Sequence, residues 1–429
     1  MASQQSIEIT RNGHRWSHIH LISRVPYYLP AQSRLALSGI MVPTSRPAGV
    51  GSGMALATQL AAIKNSTLLV VRSGAATLQP FPRAMAPNRS GRIAVIDLPA
   101  GAQGILPLWQ SNRRTVATLH RNSDLGLKRN LGLLIGRMCG WDALLFMDDD
   151  IRATPASQPS GPPTLRRPDP MLRLNDVLAD FDNSPDLHAA GYFQRDFDDN
   201  SVVCHARRLV GMPQETFISG GALAVRCAGP LPLFSAAYNE DWLFFLHLML
   251  DGRHTCPSSA VKYVGTVHQD EYYPFTMPRA LSEELGDLLA EGLFTLVGDP
   301  RENLLATASS PHFWQQAIEA RCQMITELLT ELYRRDGGSS AVVLDARKAL
   351  HAALNVYAST DAAAALAEFF TAYLCDLDEW AALLASVTPA SPADALSVPE
   401  ALELLGLDRC TTWYGNGPGL DALPRQRVS

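Results

Sequence analysis

The sequence predicts an α/β fold: a mostly parallel sheet followed by a helical C-terminal extension. Two observations carry this. Up to about residue 280, short β-type runs alternate with segments of helical periodicity, the sequence form of a parallel α/β sheet. Beyond "VHQDEYYPF" (267 to 275) helix formers dominate, as in "FWQQAIEARCQMITELLTELYRR" (313 to 335) and "DAAAALAEFFTAYLCDLDEWAALLASV" (361 to 387). The chain divides on this reading into an N-terminal segment (1–30), an α/β domain (31–279) and a helical domain with a tail (280–429).

The elements follow in order. "LALSGIMVPTS" (35 to 45) is a first strand ending at Pro43, Thr44 and Ser45, and the Ala- and Leu-rich "GSGMALATQLAAIKN" (51 to 65) is a helix. "STLLVVRSG" (66 to 74) and "GRIAVIDLP" (91 to 99) are the second and third strands. In "DLGLKRNLGLLIGRMCG" (124 to 140), Leu127, Leu131, Leu134, Ile135 and Met138 recur at helical spacing, so an amphipathic helix leads into the strand "ALLFMDDD". The Pro- and Ser-rich stretch 153–170 is a loop. "FISGGALAVR" (217 to 226) reads as a strand interrupted by a glycine pair, and "YNEDWLFFLHLMLDGR" (238 to 253) as a helix with an acidic start. The last stretch, from "TTWYGNG" onward, reads as an irregular tail.

Composition narrows the function. At 429 residues, with 47% hydrophobic and 18% charged residues, the chain has the make-up of a soluble globular protein of two or three domains. A net charge of -6 gives no general basic field, which argues against a nucleic-acid polymer as partner. Seven scattered cysteines, none in CxxC spacing, argue against a disulfide framework or a zinc site. With no secretory signal pattern and no apolar run of membrane-spanning length, a soluble protein of the reducing cytoplasm is expected.

The chemical centre of the sequence is Asp148, Asp149 and Asp150, three carboxylates directly after a buried-type strand. Adjacent carboxylates resist joint ionisation unless something positive offsets them. In an open parallel sheet, ligands bind beyond the carboxyl ends of the strands. An oxygen-rich cluster there suits Mg²⁺ or Mn²⁺ bridging a diphosphate. The competing interpretation is a solvated turn or a helix cap.

"NSDLGLKRNLGLLIGRMCGWDALLFMDDDI", then "SGGALAVR" and "YNEDWLFF", resembles the GT-A glycosyltransferases, especially those of family 2 type, in the kind and order of motifs over residues 35–275. The resemblance implies a GT-A, Rossmann-like sheet and transfer of a sugar from a nucleotide-sugar donor to the hydroxyl of a small-molecule or glycan acceptor. It implies that Asp148 and Asp150 take the DxD positions, Asp150 on the metal and Asp148 nearer the ribose or a metal-bound water, with Asp149 in the variable position. It places Arg129 and Asn130 beside the donor, Pro43 and Thr44 in the nucleotide-facing loop with Arg46 close behind, and Asp241, or alternatively Glu240, as the base.

Each assignment has a plainer counterpart. Lys128 and Arg129 also suit a solvated helix face, and Glu240 and Asp241 suit a helix N-terminus favoured by the macrodipole. Gly220 and Gly221 let the backbone approach a sugar, or form a bulge. Trp242 suits a sugar face or the core. His268 matches a histidine that completes the metal site in many such enzymes, whereas a lone histidine is more often structural. The chain departs from the pattern at Arg72, where the family usually carries an acid that holds the base; Arg72 suits a phosphate contact or a surface position.

Two other classes stay open on the sequence. One is a nucleotidyltransferase acting on sugar phosphates, for which "PTSRPAGVGSG" is a loose phosphate-loop candidate; the other is a non-catalytic nucleotide-binding scaffold. No GxSxG, Walker A or HExxH sequence is present. In the helical extension Phe313, Trp314, Leu328, Leu332, Phe369, Phe370, Tyr373 and Trp380 need a covering surface, either the α/β domain or a second copy in a homo-oligomer. If the helices cover the carboxyl edge of the sheet, truncation after about residue 278 is expected to lower transfer more than donor binding.

Overall fold

The computed structural model describes residues 23–24, 33–46, 52–78, 80–81, 92–106, 111, 119, 123–153, 174–195, 201–212, 219–250, 260–269, 272–335, 340–359 and 361–415. The loop expected at 153–170 falls outside these except for Ala153, as do residues 47–51 of the phosphate-loop candidate and, apart from Ser23–Arg24, the N-terminal segment.

Among the described residues, ten strands form one sheet: β1 (Ser23–Arg24), β2 (Leu37–Thr44), β3 (Thr67–Arg72), β4 (Arg92–Asp97), β5 (Ala143–Met147), β6 (Ile151–Arg152), β7 (Ala189–Arg195), β8 (Ala222–Arg226), β9 (Val261–Gln269) and β10 (Thr411–Gly415). The order is β1-β9-β7-β8-β5-β2-β3-β4-β10, with β6 beside β9. Strands β4, β3, β2 and β5 run parallel, as do β7, β9 and β1. Strand β8 separates the two groups, antiparallel to both β5 and β7. This reversal matters for function. It brings the start of β8 to the same sheet edge as the ends of β2, β5, β7 and β9.

Helices cover both faces because the central strands are apolar on both sides. Side chains alternate across a strand, so Ile40, Val42, Leu68, Val70, Leu145 and Met147 enter one core with α1 (Ser52–Lys64) and α3 (Leu174–Asn183). Met41, Leu69, Val71, Leu144 and Phe146 enter the opposite core with α2 (Leu125–Met138) and α5 (Glu240–Leu250). A short helix, α4 (Val202–Leu209), precedes β8 and is capped by the Ser201 side chain.

The C-terminal helices are α6 (Met277–Thr295), α7 (Arg301–Ala308), α8 (Pro311–Arg335), α9 (Ala341–Ser359), α10 (Ala362–Val387) and α11 (Val398–Leu404). The surface that covers their apolar groups is the sheet domain itself. Trp314, Phe369, Phe370, Tyr373 and Trp380 share one core with Phe234, Phe244 and Phe245, while Leu328 and Leu332 pack in a smaller core with Val202, Val203 and Ala206 of α4. Polar tips are satisfied across the same boundary: Trp380 Nε1 donates to the Leu231 carbonyl at 2.7 Å. Beyond α11 the chain forms β10, antiparallel to β4 at the sheet edge, where an irregular tail was expected. Alternation in "TTWYG" was too short a signal against its Gly-rich surroundings.

This shared core revises the truncation expectation. Ending the chain near residue 278 exposes the apolar faces of α2 and α5 and removes β10, and each large buried side chain left exposed costs about 1.5–3 kcal/mol. Marginal domain stability cannot absorb several such losses. The truncated chain is therefore expected to be insoluble or unfolded by circular dichroism, and a folded truncated monomer would contradict the packing described.

Candidate active site

A cavity of about 740 Å³ opens at the sheet edge where β2, β5, β7 and β9 end. Its wall includes Pro43, Thr44 and Arg46 after β2, Lys128 and Arg129 of α2, Asp148, Asp149 and Asp150 after β5, Gln194 of β7, Gly221 before β8, Glu240, Asp241 and Trp242 of α5, Gln269 of β9, and Arg279, Ser282 and Glu283 of α6. Each element contributes through its end because strand and helix termini converge on one edge, as in open α/β sheets generally.

The three aspartates are separated by what holds them. Asp148 donates its amide N–H to the Gly221 carbonyl at 2.8 Å, extending the β5–β8 ladder by one residue, and its Oδ1 accepts from Arg129 Nη2 at 3.1 Å. Asp149 accepts from the Thr44 hydroxyl at 2.5 Å, and its carbonyl accepts the Gly53 N–H at 3.0 Å. Gly53 is required there, since a Cβ would lie 2.1 Å from the Asp148 carbonyl oxygen. Asp150 is paired through Oδ2 with Arg46 Nη2 at 2.6 Å, while Asp150 Oδ1 is buried with no hydrogen-bond partner. Burial, reinforced by the Asp148 charge, pushes the Asp150 carboxyl up to about 6, against the pull of Arg46. Burial also raises Asp149.

Positive charge comes from four side chains in the wall. Arg129 is 2% exposed and bridges Asp148 to Glu240, with Nη1 2.8 Å from Glu240 Oε1. Lys128 is equally buried; its Nζ donates to the Thr44 carbonyl and the Ser73 hydroxyl and pairs with Asp124 one turn earlier. Burial lowers its pKa, opposed by Asp124. Arg279 lies over the Tyr272 ring, 4.1 Å from its centroid, and pairs with Glu283 at 2.5 Å. Against Arg46, Lys128, Arg129 and Arg279 stand Asp124, Asp148, Asp149, Asp150, Glu240, Asp241 and Glu283. Seven acids against four bases leave the wall net negative by three charges.

Glu240 and Asp241 face the aspartates from the first turn of α5. Asp241 Oδ2 accepts the Gly220 N–H at 2.6 Å and its Oδ1 accepts its neighbour Trp242 N–H at 2.9 Å. Glu240 is held by Arg129.

Several expected residues lie elsewhere. Arg72 does not line the cavity: the ends of β3 and β4 are in register, so Arg72 forms a two-pronged pair with Asp97 at 2.6 and 2.8 Å. Asn130 points away from the cavity and clamps the Phe234 backbone, donating to its carbonyl and accepting its N–H, both at 2.8 Å. Gly220 is also outside the wall; a Cβ there would lie 2.5 Å from Arg129 Nη1, so the glycine makes room for the guanidinium. His268 is not among the lining residues. Strand alternation turns the next residue, Gln269, inward, with its Nε2 3.4 Å from Asp150 Oδ2.

Lys128, Gln194, Gln269 and Arg279 are wall residues that sequence reading did not assign. Lys128 suited a solvated helix face, and the two glutamines sit in strands without a motif. Because Asn130 satisfies both backbone groups of a buried residue, Asn130→Ala is expected to destabilise the protein by about 2–4 kcal/mol in urea unfolding; a change below about 0.5 kcal/mol would remove the clamp from the account.

The donor set can be tested against a divalent cation. Among the described residues no group of three His, Cys, Asp or Glu comes together as a complete metal site. Mg²⁺, however, takes only one or two carboxylates and fills its remaining positions with water and phosphate oxygens. The unpartnered Asp150 Oδ1 and the unpartnered Gln269 Oε1, beside Asp148, supply hard oxygen ligands of that kind.

No family model matches the sequence, and no curated protein does. Among solved structures, the fold is similar to a mycobacterial protein (15% identity, 60% of this chain and 75% of that one, TM-score 0.34). It is also similar to the glucosyl-3-phosphoglycerate synthase of M. tuberculosis (14% identity, 63% and 87%, TM-score 0.36). A third likeness is to the galactosyltransferase LgtC, solved with donor and acceptor sugar analogues (13% identity, 52% and 72%, TM-score 0.23). These are distant likenesses. No helix among the described residues is long and apolar enough to cross a membrane.

Proposed function

We propose that the cavity binds a nucleotide-diphosphate sugar with Mn²⁺ or Mg²⁺ and transfers the sugar to an acceptor hydroxyl. One observation carries the reading: at the sheet edge where β2, β5, β7 and β9 end, the aspartate cluster and the acidic start of α5 line one cavity whose wall is net negative by three charges, and the buried Asp150 Oδ1 there has no hydrogen-bond partner. A diphosphate is repelled by such a wall unless a cation accompanies it. The motif order in the sequence, which resembles GT-A enzymes, agrees with this reading.

Asp148 and Asp150, with Gln269, would hold the cation, which when bound neutralises charge on the departing diphosphate. Thr44 and Lys128 line the nucleotide side. Asp241 is the base: it takes the proton of the acceptor hydroxyl as that oxygen bonds to the anomeric carbon, and the pair of the breaking carbon–oxygen bond leaves with the diphosphate. Glu240 is less suited, because the buried Arg129 neutralises it at 2.8 Å. Arg129 thereby ties the donor side, through Asp148, to the acid side, through Glu240.

A thermal-shift series with nucleoside diphosphates tests the binding step. Nucleotide together with Mn²⁺ is expected to raise Tm by several degrees, and nucleotide with a chelator to raise it little. Equal shifts with and without the metal would defeat the cation-bridged reading.

A further inference from the structure

Between Tyr238 and α5 the chain makes a turn in which Asn239 adopts φ +62°, in the left-handed region that few residues other than glycine enter. The next two residues are Glu240 and Asp241. A left-handed residue at this point sets the direction in which the first turn of α5 presents its acids, and such a conformation persists only when its surroundings hold it. Those surroundings come from the C-terminal helices. Asn239 Nδ2 donates to Asp287 Oδ1 on α6 at 3.2 Å. Asp287 is 4% exposed and is gripped on its other oxygen by Arg321 of α8. Arg321, also buried, pairs with Glu284 at 2.8 Å, and Glu284 accepts the Tyr357 hydroxyl of α9 at 2.7 Å. One turn of α6 presses on the same place from the side. Gly286 lies so close to Tyr238 that a Cβ would come within 2.6 Å of the Tyr238 Cβ.

We infer that Asp287, anchored by Arg321, is a positioning residue that acts through Asn239 to hold Asp241 in place. This rests on the proposed role of Asp241, and it assigns the helical layer a part in catalysis beyond stability. The energetics favour a sharp effect. The fully buried Arg321 keeps Glu284 when Asp287 is removed, so no buried cation is orphaned and the fold can survive the substitution. A misplacement of the base on the order of 1 Å is enough to slow transfer about 10²-fold.

The test uses the full-length chain as Asp287→Ala, Asn239→Ala and Asn239→Gly. Asn239→Gly keeps the left-handed turn and loses only the tether, while Asn239→Ala loses both. Two readouts are taken: hydrogen exchange of the peptide containing Gly220, whose N–H is bonded to Asp241, and steady-state transfer with Mn²⁺ and the donor that the wild type turns over. The expected result is faster exchange confined to the Gly220 and 238–243 peptides, with kcat reduced about 10-fold or more and nucleoside-diphosphate affinity within about twofold of wild type. Asn239→Ala should be the worst of the three. Unchanged exchange at Gly220 would overturn the inference, as would a general rise in exchange with kcat and nucleotide affinity falling together. If the wild type turns over no nucleotide sugar, the functional reading fails by itself; the exchange readout still decides whether the network holds Asp241.

Discussion

Asp241→Asn is expected to lower sugar transfer about 10²- to 10⁴-fold while nucleotide binding stays within about twofold. The amide has the size of the carboxylate but cannot take a proton. Its one oxygen can accept from only one side group of the present pair, so the Gly220 or the Trp242 N–H loses its partner. That loss makes the protein less stable by about 1 kcal/mol, too little to unfold it. Side-by-side measurement of kcat and of nucleotide affinity separates the two effects. A variant with wild-type kcat would leave Asp241 as a brace for the β8 turn, and Glu240 would then be the acid to examine.

Asp150→Asn is expected to weaken Mn²⁺-dependent donor binding by at least about 10²-fold, since it removes the carboxylate whose buried oxygen has no hydrogen-bond partner and which is proposed to hold the cation. Without metal the same substitution should act in the opposite direction on stability. Burial raises the Asp150 carboxyl to about 6, above its value in the unfolded chain. A raised acid contributes its full stability at pH values below the unfolded pKa and loses it as pH climbs through the folded one. In chelator, therefore, wild-type stability should decline relative to Asp150→Asn between about pH 4 and pH 7, by on the order of 1–3 kcal/mol. The lost ion pair with Arg46, whose side chain is 57% exposed, offsets little of this. Parallel stability curves for the two proteins across that range would contradict the assignment of a destabilising buried charge.

Much of the sheet was legible because its strands are apolar runs with abrupt polar ends: β2, β3, β4 and β5 lie within the segments that periodicity marked, and α2 and α5 begin within two residues of their expected starts. Asp148, Asp150, Arg129 and Asp241 line one cavity, a grouping that the resemblance to GT-A enzymes implied and that strand and helix periodicity alone did not. What the sequence could not convey is pairing. Nothing in "VVRSG" announces that Arg72 has an in-register partner in Asp97, and nothing in "KRN" tells that Arg129 turns to the cavity while Asn130 turns to the Phe234 backbone. Whether Gln269 or His268 enters the cavity is a matter of strand register, which one residue of slip would reverse. The reversed direction of β8, which brings Gly221 beside Asp148, is likewise a property of topology. The role of Arg279, Ser282 and Glu283 in the wall depends on how α6 docks, which helical periodicity does not encode.

The most direct measurement is release of nucleoside diphosphate from a panel of nucleotide sugars incubated with the full-length protein and Mn²⁺, with a chelator control and Asp241→Asn alongside. Metal-dependent release from at least one donor is expected, slow without acceptor, abolished by the chelator and strongly reduced in Asp241→Asn. Binding of the same donors without any release, or release that the chelator leaves unchanged, would contradict it.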